Sequence, residues 1–246
     1  LFRRNVLILP FLFLLSGTVR ILARILHPTL DRDAIQYLHI ATEMARISRA
    51  HFYLENPLNW IPPFYVQLVE LGINCGFPAE RVGIGINLLF GALLPVVLFL
   101  ITEKLFQDRM TAVLTGVLAA FVPLLIDFSI SVLREPSYFL FFALFFYALL
   151  QMLESPRWYW AAGCGAFTVL AYFCRFEGLE MAVFFIAAVI WAAVTRRFAV
   201  SRSVLLILSN LSAMVMTLFI GIYLFAIPFA FLSRQFFRLS CRIANW

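Results

Sequence analysis

Asp31 and Asp33 stand two residues apart in the segment Asp31-Arg32-Asp33-Ala34-Ile35-Gln36-Tyr37, directly after the first strongly apolar run of the chain. A carboxylate placed there has two uses. Asp33 with Gln36 three residues on fits a reciprocal helix cap, the carboxylate accepting an orphan amide and the glutamine reaching back. The same carboxylate at a membrane surface could take a proton from an attacking hydroxyl as a general base. A cap fixes a carboxylate's position, so the two uses are compatible.

Two more polar pairs, Arg134-Glu135 and Arg175-Phe176-Glu177, sit at the ends of apolar runs. Either they are solvated charges facing lipid headgroups, or their guanidinium groups hold a phosphate, which a planar fork of donors matches well. Asp127 precedes Arg134 by seven residues and would share its helix face if one helix ran through both; Glu180 is a weaker case. Ionisable groups at such depth point to function. The histidines, at positions 27, 39 and 51, and the cysteines, Cys75, Cys164, Cys174 and Cys241, lack metal-ligand spacing, so no zinc site and no disulfide is read from them, and no cofactor is expected. Glycine-rich phosphate loops, a Ser-His-Asp order and HExxH are absent from the sequence.

The elements that must position these groups are membrane helices. Of 246 residues, 63% are hydrophobic and 13% charged, and the mean hydropathy is +0.95, whereas soluble domains carry about 25% charged residues. The net charge of +6 is spread between apolar runs and not gathered on a face, which argues against nucleic acid. All but Lys104 of the 19 basic residues are Arg, which suits membrane edges and phosphate contacts. The expected fold is an all-α, polytopic membrane domain over residues 1–246, with about seven transmembrane helices.

A first span runs to about Leu26, with Arg20 and Arg24 snorkelling toward the far interface. Residues 27–81 form a long first outer loop with its own helices. In it Ala34, Tyr37, Leu38, Ala41, Met44 and Ala45 follow helical spacing and would lie on the membrane surface, and Phe64–Ile73 forms a second such helix after a double proline. Further spans are expected over Val82–Thr102, Met110–Ile126, Pro136–Leu153, Trp158–Cys174, Leu179–Thr195 and Val204–Leu232, the last tilted and broken near Gly221 or Pro228. Gly178 marks a break between the fifth and sixth. With Arg3-Arg4 cytoplasmic, the short inner loops hold most of the arginines. The loop with Asp31 and Asp33 and the turns with Glu135 and Glu177 then share the outer face. The chain starts at Leu1 and stops after an Arg-rich segment, which reads as a fragment.

The motifs, in this order, resemble the polyprenyl-phosphate-sugar-dependent glycosyltransferases of the GT-C fold, in the protein mannosyltransferase and aminoarabinose transferase branch. Asp33-Ala-Ile-Gln-Tyr37, continuing to Ala41-Thr-Glu43-Met44, is similar to that family's first outer-loop motif, and Pro62-Pro63-Phe64-Tyr65 to the double-proline segment after it. Ser131-Val-Leu-Arg134-Glu135 resembles its outer turn ending in Glu, and Cys174-Arg175-Phe176-Glu177-Gly178 its Arg-x-Glu-Gly signature. Ile61 stands where some members carry a basic residue, and the family's outer C-terminal domain has no counterpart in the sequence. The resemblance implies an inverting transfer in the cell (inner) membrane, at its outward face, from a polyprenyl-phosphate-linked sugar to a lipid, glycan or protein acceptor. Asp33 would be the catalytic base. Asp31, Tyr37, Arg134, Glu135, Arg175 and Glu177 would bind substrate, with the two arginines near the donor phosphate or its scaffold. The competing class is a non-catalytic polytopic protein, either a remnant of the family or a transporter-like bundle, although no internal repeat is visible.

Overall fold

A computed structural model describes residues 7–28, 30–55 and 61–225, and no strand occurs among them. The described helices are α1 (Ile8–Leu26), α2 (Arg32–Ile47), α3 (Arg49–Glu55), α4 (Pro63–Asn74), α5 (Ala79–Phe106), α6 (Arg109–Phe121), α7 (Pro123–Ile130), α8 (Glu135–Glu154), α9 (Trp158–Cys174), α10 (Glu180–Val194) and α11 (Val200–Phe225). A 3-10 turn, Phe176–Leu179, joins α9 to α10. Among the described residues five helical stretches are long and apolar enough to cross a membrane, and the bent pair α6–α7, taken as one span, makes a sixth. The 17 residues of α9 cover about 25 Å, and the helix is enclosed between α8 and α11. The chain is thus an all-α polytopic membrane protein.

The helix α5 is the spine. It packs on α1 and α6 along one side and on α8 along the other, and α8, α9 and α11 continue the bundle in that order. The turns of the chain therefore alternate between two ends. At one end, Lys104 of α5 pairs with Glu154 and donates to Gln151 of α8 at 3.2 Å, and Arg202 donates to the Pro156 carbonyl at 2.8 Å. At the other, Arg24 pairs with Glu80 at 2.7 Å and Arg175 with Glu135 at 3.2 Å. The second end also carries α2 to α4.

Those loop helices join the bundle's own core. Ala34, Tyr37, Ile40, Ala41 and Met44 are buried along one face of α2, and they share a hydrophobic cluster with Tyr65 and Val69 of α4 and with Phe145, Phe173 and Met181. The apolar stripe expected on the membrane surface faces protein instead, because α4, buried over most of Pro63 to Glu70, lies against it.

Three other expectations are corrected. The third span does not run straight from Met110 to Ile126: Val122 is extended (φ −62°, ψ 117°), Pro123 starts a new helix, and α6 and α7 meet at 52°. A residue before proline is pushed out of the helical region, which locates the break. Arg20 does not snorkel. It is fully buried, and its guanidinium donates to Ser129 Oγ (3.1 Å), Ser16 Oγ (2.5 Å), Ser16 O (3.2 Å) and Ala120 O (3.3 Å). The proline break deprives Ala120 of its helical partner, and Arg20 supplies a donor where the membrane has no water. The last helix starts at Val200 and continues through Gly221 to Phe225, whereas Pro228 and the Arg-rich end lie outside the described residues.

Candidate active site

The site forms where the N-terminus of α8 meets the C-terminus of α9. Arg134 caps α8 and Glu135 is its first residue, with Pro136 next, a residue preorganised for a first turn. A carboxylate here also meets the positive end of the helix dipole. Glu135 Oε1 accepts from Arg175 Nη1 at 3.2 Å and lies 4.0 Å from Arg134 Nε. Its other oxygen, Oε2, is buried without a hydrogen-bond partner among the described residues. Arg175 leaves α9 in an extended conformation (φ −150°, ψ 139°), which turns its side chain back across the helix ends. It reaches both oxygens of Glu177 at 3.4 Å and stacks over the Tyr138 ring at 5.6 Å.

The 3-10 turn that brings Glu177 there requires glycine at 178. A Cβ added to Gly178 would collide with the backbone of Ala171 and Tyr172. The expected break is thus a tight return of the chain over the end of α9.

From the loop side, Tyr37 of α2 is buried with its ring edge-on to Tyr65 of α4, the centroids 6.1 Å apart. Burial pushes the Tyr37 phenol up to about 12; among nearby charges, Arg134 opposes the shift most and Glu135 and Asp33 add to it. The Tyr65 phenol, which donates to Gly83 O at 3.0 Å, is likewise raised by burial, with Tyr37 and Glu135 adding. Arg134, Glu135, Arg175 and Asp33 are thus the charges close enough to act on the Tyr37 phenol.

The two acids that open the loop differ from the expected cap. Asp31, not Asp33, is the N-cap of α2, its carboxylate accepting from the Arg32 amide at 2.6 Å while its own N–H donates to Ser131 Oγ at 3.4 Å. Asp33 lies in the first turn with its side chain exposed, four residues before Tyr37. Asp31 also lines an open cleft of about 600 Å³ with His27, Asp127, Phe128 and Ser131. Asp127 does not share a helix face with Arg134, since α7 ends at Ile130 and the chain is non-helical up to Arg134. No group of three or more His, Cys, Asp or Glu able to hold a metal ion occurs among the described residues.

Sequence reasoning passed over Asn87 and Tyr138. Asn87 is a lone amide inside an uncharged apolar run, and its side chain reaches the turn before Arg134. A polar residue in such a run was the available signal. Tyr138 lies one turn after Glu135, a spacing that puts both on one helix face.

An all-helical, multi-pass bundle with two arginines and two glutamates joined across helix ends, beside a two-tyrosine contact, defines a membrane protein with a charged site at one end of its spans. Residues 61–231 match the family model described as dolichyl-phosphate-mannose-protein mannosyltransferase, and the chain belongs to that family, which makes it a membrane glycosyltransferase of GT-C type. Arg134, Glu135, Arg175 and Glu177 lie inside the matched residues, while Asp31, Asp33 and Tyr37 precede them. No curated protein and no solved structure matches the chain.

Proposed function

We propose that the protein transfers a sugar, of which mannose is the first candidate, from a polyprenyl-phosphate carrier to an acceptor at the outer face of the membrane, with Asp33 as the base. The family's description names a dolichyl-phosphate-mannose donor and a protein acceptor. The observation that carries the reading is the junction of Arg134, Glu135 and Arg175 within electrostatic reach of Tyr37, one helical turn from Asp33. The outer face is favoured by the distribution of arginines over the short loops.

In the transfer, an acceptor hydroxyl gives its proton to the Asp33 carboxylate and its oxygen forms a bond to the anomeric carbon. The bond from that carbon to the phosphate oxygen breaks, and polyprenyl phosphate departs with the electron pair. Arg134 and Arg175 face the charge that develops on the phosphate. Glu177 is the more exposed of the two carboxylates on Arg175 (53% against 15% for Glu135) and is the one a phosphate displaces. Attack opposite the departing phosphate inverts the anomeric centre. Asp31 and Tyr37 line the acceptor side.

The test is transfer from radiolabelled dolichyl-phosphate-mannose in membranes containing the full chain or its Asp33→Asn variant. A positioned base contributes about 100-fold or more, so the variant should lose transfer by that factor while inserting normally. Undiminished transfer by Asp33→Asn removes Asp33 from the role of base. A wild-type chain that binds the donor without transferring it favours the non-catalytic reading.

A further inference from the structure

The segment 131–134, which links α7 to α8 and ends on the site arginine, lies in neither a helix nor a strand, yet Ser131, Val132 and Leu133 are buried. A buried carbonyl left unpaired is costly. Those of Ser131 and Leu133 are satisfied by one side chain. Asn87 of α5, fully buried, directs its Nδ2 at Ser131 O (2.6 Å) and Leu133 O (2.7 Å), using both of its hydrogens on alternate carbonyls of the segment.

The helix surface around Asn87 is shaped for this contact. Residues 83, 87 and 91 recur at a spacing of four and share one face of α5. At Gly83 an added Cβ would stand 2.8 Å from Val132 Cγ1, and at Gly91 it would run into the Ser129 hydroxyl and stand 2.7 Å from Arg20 Nε. The two glycines let the chain lie close against α5, and Asn87 between them fixes its register. Ser129, at the segment's leading end, is in turn held by Arg20 at 3.1 Å. Past Leu133 the next two residues are Arg134 and Glu135.

We propose that Asn87 is a positioning residue for the glycosyl transfer: by clamping the carbonyls of Ser131 and Leu133 it sets where Arg134 and Glu135 stand relative to Arg175 and Tyr37. The inference rests on the proposed function for its catalytic consequence, but the clamp itself does not depend on it. Asn87 touches no reacting atom; it acts through the backbone that carries the arginine and the glutamate.

The experiment compares Asn87→Leu and Asn87→Asp, both close in shape to asparagine and unable to give the paired N–H donors, with Asn210→Leu. Asn210 is a buried amide too, and donates to Ala161 O at 3.1 Å between α11 and α9, away from the segment. Two readouts are taken on the full chain in lipid nanodiscs. Hydrogen exchange over residues 131–137 should speed up by about tenfold or more in both Asn87 variants and stay unchanged in Asn210→Leu. With dolichyl-phosphate-mannose as donor, kcat/KM should fall by about tenfold or more in the Asn87 variants, carried mainly by donor KM, and change less than twofold in Asn210→Leu. Unchanged exchange in either inserted Asn87 variant overturns the clamp. Equal kinetic losses in Asn87→Leu and Asn210→Leu overturn the positioning role, since a general loss of stability then explains both. If the wild-type chain transfers no mannose, the proposed function fails on its own account and the exchange data alone decide the clamp.

Discussion

Arg175 Nη1 and Glu135 Oε1 lie 3.2 Å apart and join the end of α9 to the start of α8, forty residues away in the chain. Arg175 is also held by Glu177 and by the Tyr138 ring, so its guanidinium has fixed direction before any phosphate arrives. Preorganisation of that kind is worth more in a site shielded from water than on a surface.

Replacing Glu135 by Gln keeps the shape and removes the charge that holds Arg175 and flanks Arg134. The pair is 30% and 15% exposed, so its loss should lower unfolding free energy by only about 1 kcal/mol. Transfer should suffer more, falling by about tenfold to a hundredfold in kcat/KM. Arg175→Lys keeps the charge but gives up the planar fork and the stack, and should fall at least as far. Thermal melts beside initial rates on the same preparations check both; parallel loss of stability and rate in the two variants would show the pair to be structural only.

Arg20 should be among the least replaceable residues of the first helix. Arg20→Leu leaves the Ala120 carbonyl without the donor that now serves it, at about 1–3 kcal/mol for a buried group left unsatisfied, and removes one accepted bond each from Ser16 and Ser129, whose hydroxyls still donate to Gly91 O and Leu125 O. The bend between α6 and α7 should then relax. Arg20→Lys retains charge but cannot span the three partners and should fall between wild type and Leu. Melting temperature in detergent, with protease sensitivity near Val122, checks the order Arg, Lys, Leu.

The contrast between Arg20 and Gly178 shows what the chain made legible and what it did not. Most spans, the turns and the break at Gly178 are legible because length, apolarity and glycine act locally, whereas the broken third span is not. The polar clusters at 134–135 and 175–177 were readable as pairs because each is contiguous in sequence. Which side of a helix faces the protein is not local: in α1 and α2 apolar residues are found both buried and exposed, so periodicity alone places Arg20 and the Tyr37 stripe outward. Pro123 was visible, but a proline can sit in a straight, kinked or broken span, and the outcome depends on Arg20 arriving from another helix to take Ala120 O. Asn87 escaped notice because it carries no charge, and its partners are backbone atoms more than forty residues away.

Tyr37 predicts a dependence on high pH. Its folded-state phenol is raised to about 12, chiefly by burial, above the unfolded value of about 10. A proton held more tightly by the folded chain stabilises it below pH 10, and that contribution is lost as pH rises from 10 toward 12. Wild type and Tyr37→Phe should therefore melt in parallel up to about pH 10, after which wild type should lose stability faster. Tyr65 is raised in the same direction, so the Tyr37→Phe, Tyr65→Phe double variant should be flatter still. Identical pH profiles for wild type and Tyr37→Phe would mean that Tyr37 is not buried as described.

Gly178→Ala tests whether the turn after α9 sets the site. A Cβ at 178 meets backbone atoms of Ala171 and Tyr172, which cannot swing aside as a flexible side chain would. The turn must shift, at about 1–3 kcal/mol, and Glu177 moves with it. Because Arg175 is attached to α9 on one side and bound to Glu135 on the other, it should stay while Glu177 departs, leaving the guanidinium held on one carboxylate instead of two. Glu177 is the carboxylate a phosphate displaces in the proposed transfer, so its departure should tighten binding of polyprenyl monophosphate even as the chain melts lower. Binding of polyprenyl monophosphate to the nanodisc-embedded variant checks this, and Glu177→Gln, which leaves the turn intact, should tighten binding likewise. Weaker binding by both variants would overturn that role and make Glu177 the group that orients Arg175.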